Sequence, residues 1–108
     1  MNQAQRVVAK EMDIALISIY EQIDAALQLK IGSRDIEKNT SVGYHRVNLS
    51  EGTVDVFGVY VDDWTLPFLK AHYVPTNGWT NVEIVHEDAR PTVIVLSYDH
   101  EFVNDKIN

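Results

Sequence analysis

The chain has 108 residues, 45% of them hydrophobic, with 16 acids against 9 bases and no cysteine. That length suits one domain with its own core. The missing thiols exclude disulfides, zinc–thiolate sites, iron–sulfur clusters and thiol catalysis, and fit a reducing, cytoplasmic setting.

From Gln3 to Leu29 the apolar residues Val8, Met12, Leu16, Ile19, Ile23 and Leu27 recur at spacings of three and four, which predicts an amphipathic helix closing by residue 30. Gly32 and Ser33 follow as a stop signal. Arg6, Lys10, Glu11, Asp13, Glu21 and Asp24 interrupt the apolar content too often for a signal-peptide core or a membrane span, so no membrane partner is expected. Val7, Ile14, Ala25 and Leu29 fall near the opposite side of this helix, which a single sheet cannot cover. They are either scattered exposed residues of the ordinary kind or the interface of a homodimer.

Residues 34–41 form a polar connector, and residues 42–98 read as a β-rich body. Four runs rich in Val, Ile, Thr and aromatics predict strands over Val42–Leu49, Thr53–Val61, Trp79–His86 and Thr92–Tyr98. Ser50-Glu51-Gly52 joins the first two at hairpin length, and residues 86–91 join the last two. Trp64–Val74 fits either an edge strand restricted by Pro67 or a short helix with Pro67 in its first turn. The strand is the slightly better fit, because it keeps every connection in an antiparallel meander short. Residues 99–108 are a C-terminal tail. The expected fold is α+β: a long N-terminal helix packed on a four- or five-stranded antiparallel meander. The helix followed by a wrapped meander resembles cystatin-like folds, and the version with a second helix resembles the element order of secretion chaperones. Neither analogy carries a function.

No chemical motif stands out. None of the five serines sits in a Gly-x-Ser-x-Gly elbow, the glycines are dispersed, and no cofactor is implied. His86 lies beside the turn of the last hairpin and His100 beyond its open end, roughly 20 Å away at about 3.3 Å per residue, so the two cannot share a metal. His86 with Glu87 or Asp88 has the residue types of an acid–base pair and nothing more specific.

The acidic excess is the better lead. Residues 39–108 hold ten acids and four bases, Arg46, Lys70, Arg90 and Lys106, which argues against direct nucleic-acid binding and favours a basic protein surface as partner. In a meander, or with a crossover helix, the connections carrying Asp62-Asp63 and Glu87-Asp88 fall at one end of the sheet, on the order of 10 Å apart. Trp64 beside them has the character of an exposed binding anchor. The leading expectation is a non-enzymatic acidic inhibitor that blocks a basic, nucleic-acid-binding surface, as immunity proteins and phage anti-defence inhibitors do. A dimeric assembly subunit or secretion-type chaperone is the first alternative, and a small enzyme or ligand-binding domain with a helix–sheet pocket is the second.

Overall fold

A computed structural model describes residues 1–28, 43–87, 90–101 and 103. Helix α1 (Gln3–Gln28) is followed by β1 (Tyr44–Asn48), β2 (Thr53–Phe57), a 3-10 turn (Asp63–Thr65) that runs into α2 (Leu66–Tyr73), β3 (Asn81–Glu87) and β4 (Arg90–Ser97). The fold is α+β, with a long N-terminal helix and a four-stranded antiparallel sheet in the order β1-β2-β4-β3. The predicted stop signal at Gly32-Ser33, the connector and most of the C-terminal tail lie outside the described residues.

Two expectations change. Trp64–Val74 is not a fifth strand: Leu66, Leu69 and Tyr73 recur at helical spacing, and Leu69 and Tyr73 are buried, with Pro67 in the first turn where its missing N–H costs nothing. The Thr65 hydroxyl donates to the Asp62 carbonyl at 2.6 Å and steadies the entry. With a helix between β2 and β3, β3 takes the far edge and β4 inserts between them, so the strands do not follow the sequential order of a meander. Val59 and Val61 lie past the end of β2 but are still buried.

Both helices cover one face of the sheet. Val54, Leu96 and Val82 form one cross-strand row, and Val56, Ile94 and Ile84 the next. Ile19, Ile23 and Ala26 of α1 and Leu69 and Tyr73 of α2 pack with them in one core. Gly43 lets the start of β1 approach α1 closely, since a Cβ there would crowd Ala26, Val59 and the Phe57 carbonyl. The His45 ring donates from Nδ1 to the Ala26 carbonyl at 2.8 Å, satisfying a group near the helix end.

The two helices run side by side in the same direction. The Tyr20 hydroxyl donates to the Phe68 carbonyl, the Tyr20 ring stacks on His72 at 3.9 Å, and the Tyr73 hydroxyl donates to Asp24. Followed back from Tyr20, α1 therefore leaves the body past the start of α2. Its 26 residues span about 39 Å, whereas the longest strand, of eight, spans about 26 Å. Among the described residues, the core contacts of α1 come from its second half, from Leu16 onward, and the molecule measures 56 Å along its longest axis. Val8 and Met12, assigned from sequence to the core stripe, consequently lie outside the core: Val8 is 56% exposed and Met12 half-buried. Periodicity reports an apolar face, not what covers it. The start of α1 is nevertheless capped, with Asn2 Oδ1 accepting from the Gln5 N–H and Gln5 Oε1 from the Asn2 N–H.

The β1–β2 hairpin forms as expected. Gly52 closes it at φ 70°, donates to the Asn48 carbonyl, accepts from the Tyr98 N–H, and leaves no room for a Cβ against the His100 ring. Gly52→Ala should cost at least about 1–2 kcal/mol, which the left-handed backbone requires by itself, and His100→Ala should recover only the further part due to the ring. Urea unfolding of the two single variants and the double variant checks this.

Candidate functional site

β2 and β3 are both antiparallel to β4, so they run parallel to each other and finish at the same end of the sheet. There β2 passes through Gly58–Asp62 into the 3-10 turn, and β3 ends at Glu87. The convergence expected from strand direction is therefore present for Asp62, Asp63 and Glu87, and Asp88 lies outside the described residues. A direct contact ties the two segments together: His86 Nε2 and Asp63 Oδ1 are 2.6 Å apart. In the tautomer that donates from Nε2, His86 Nδ1 accepts the Thr92 hydroxyl proton at 3.2 Å. Asp63 is 82% and His86 50% exposed at the side chain. Such a pair orients the loop while adding little to stability.

Aromatic surface accompanies these acids. Trp64 and Phe68, one turn apart, meet edge to face at 6.0 Å, and each is 39% exposed. Tyr60, two residues before Asp62, is exposed as well. This end thus carries three carboxylates and three accessible aromatic rings on the segments 60–68 and 86–87, with Arg90 as the register partner of Glu87. Phe68 and Tyr60 were not singled out from sequence. The signal was available, since Phe68 stands four residues after Trp64, but it has meaning only once the segment is known to be helical.

The residues assigned to a dimer surface are exposed where they are described: Val7, Ile14 and Ala25 all face away from the sheet, and Leu29 lies outside the described residues. Ile17 is exposed on the same helix.

A second polar grouping was not legible in the sequence. Between α1 and the end of α2 lies a groove of about 460 Å³ bordered by Asp24, Gln28, His72, Tyr73 and Trp79. The Tyr73 hydroxyl donates to Asp24 Oδ1 at 3.0 Å and lies 3.4 Å from the Tyr20 carbonyl. Burial, reinforced by that hydrogen bond to a carboxylate, pushes the phenol well above its ordinary range. Such a group holds its proton and serves as a donor. The histidine and carboxylate anticipated in a helix–sheet pocket, His86 with Glu87, stand instead at the sheet end. A more apolar cavity of about 410 Å³, bordered by Val47, Leu49, Trp79 and Tyr98, lies at the opposite end of the sheet.

Among the described residues, no three His, Asp or Glu side chains gather in a way that could hold a metal ion, and no helix is long and apolar enough to cross a membrane. No family model, curated protein or solved structure matches the chain.

Proposed function

We propose that this chain is a non-enzymatic binding protein whose acidic sheet end blocks a basic surface of another protein, most simply a nucleic-acid-binding surface, in the manner of an immunity protein or a phage anti-defence inhibitor. The observation that carries the reading is the combination at one end: Asp62, Asp63 and Glu87 beside the accessible rings of Tyr60, Trp64 and Phe68. Carboxylates steer and orient a cationic partner, and aromatic anchors supply the contact area that holds it. The like charges repel one another in the free protein, and a cationic partner relieves that repulsion.

The test is capture from an extract of the native host in low salt, with the retained protein identified and its binding then measured in isolation. Changing Asp62, Asp63, Glu87 and Asp88 to Lys should leave the fold intact, slow association by about 10- to 100-fold and remove its salt dependence. Trp64→Ala should instead speed dissociation and leave the salt dependence in place. Undiminished binding by the four-Lys variant would mean that the acids are only solvated turns. A captured partner that ignores salt altogether favours the chaperone reading.

A further inference from the structure

We propose that the groove between α1 and the end of α2 binds a small organic amine in its ammonium form, with the charged nitrogen at Asp24 and an apolar body that passes Trp79 toward Val47 and Leu49. The site goes beyond the acidic-end reading and shares no residue with it, so either can fail alone.

The polar groups of the groove are held in place by the body of the protein. Asp24 and Gln28 stand one turn apart on α1, and His72, Tyr73 and Asn77 come from the end of α2 and the turn after it. Buried Tyr73 donates its one hydroxyl proton to Asp24 Oδ1. The His72 ring lies flat on Tyr20 at 3.9 Å and edge to face with Tyr73 at 4.8 Å. Asn77 donates from its side-chain amide to the His72 carbonyl and from its backbone N–H to the Tyr73 carbonyl. Side chains fixed in this way lose little freedom when a ligand arrives, which separates this groove from a hollow among mobile surface groups.

The groups left over define the ligand. Among the described residues, no hydrogen bond reaches Asp24 Oδ2, and Asn77 keeps its amide oxygen. Asp24 is the only acid bordering the groove, and no Lys or Arg borders it. With the donors of Tyr73 and Asn77 engaged, the groove offers acceptors and a negative charge. An ammonium supplies the opposite charge and three N–H donors, whereas a carboxylate or phosphate would meet Asp24 with like charge. Trp79, half-buried in the same wall, adds an aromatic face to the cation and its methylenes. Asn77 and Trp79 also border the more apolar cavity of about 410 Å³ that Val47, Leu49 and Tyr98 help to form. Both spaces have the size of small-molecule sites. A molecule that reaches from one to the other needs a cationic head and an apolar body.

Titration of the protein with n-butylammonium and n-octylammonium, followed by amide and indole N–H NMR, tests the proposal. The chain has two tryptophans, one at each candidate surface. The Trp79 indole signal should shift on titration and that of Trp64, beside the acidic end, should stay in place. The octyl chain should bind at least about 10-fold more tightly than the butyl chain by burying added methylenes. Octanoate of the same length should not bind. Asp24→Asn, which can still accept from Tyr73, should weaken both amines at least about 10-fold, and Leu49→Ser should reduce the advantage of the octyl chain. Circular dichroism confirms the fold of each variant. Shifts confined to Trp64 and its neighbours, octanoate binding as tight as the amine, or unchanged binding by Asp24→Asn would each overturn the site. An octyl advantage untouched by Leu49→Ser would overturn the path of the apolar body.

Discussion

Ile23→Ala should lower the unfolding free energy by about 2–5 kcal/mol, whereas Val8→Ala, on the same stripe of the same helix, should change it by less than about 0.5 kcal/mol. Ile23 is fully buried among Val54, Val56 and the α2 residues, so truncation removes apolar contact and leaves a cavity that the sheet cannot collapse to fill. Val8 is more than half exposed and lies outside the core, so its truncation removes little buried apolar surface. The comparison separates local helix propensity from tertiary burial, because each change substitutes Ala for a β-branched residue in a helix interior. Urea unfolding gives both values. Equal losses at the two positions would mean that the first half of α1 rests on the body after all.

The same contrast explains what was legible. Periodicity of 3.6 marked α1, and β-branched runs between turn residues marked the strands, because those patterns are written by burial on one face. How far along the helix that burial extends depends on the length of the strands beneath it, which no residue of α1 encodes. Trp64–Val74 was ambiguous for a different reason. An apolar run of about eleven residues with a proline near its start satisfies both templates, and the choice falls to Leu69 and Tyr73 finding the core formed by Val82 and Leu96.

The acidic end survived that ambiguity because the parallel direction of β2 and β3 follows from either connection. The contact of Asp63 with His86 and the exposure of Phe68 required the loop path itself. The Asp24–Tyr73 pair was invisible to spacing, since 49 residues separate the partners and neither sits in a motif.

That pair leads to the second large effect: stability should fall as pH rises above about 10, and Tyr73→Phe should flatten the fall. Burial, then the hydrogen bond and charge of Asp24 and the neighbouring Tyr20, keep the Tyr73 phenol protonated in the folded chain well above its ordinary pKa of 10.0, which it regains on unfolding. A group whose folded pKa lies above its unfolded value contributes stability that is complete below the unfolded pKa and drains away as pH rises toward the folded one. Each such tyrosine removes up to about 1.4 kcal/mol per pH unit in that window. Tyr20 is shifted in the same direction by burial, so the wild-type slope holds a contribution from each ring. Tyr73→Phe loses the hydroxyl's hydrogen bonds, which should cost about 1 kcal/mol near neutral pH. Because the Phe ring cannot ionise, the variant then loses less with each unit of alkalinity, and the two stability curves converge and cross. Unfolding free energies measured from neutral to strongly alkaline pH decide it, with phenolate absorbance showing whether Tyr73 ionises only as the chain unfolds. Parallel curves for wild type and Tyr73→Phe would show that the buried phenol plays no part in the alkaline limit of the fold.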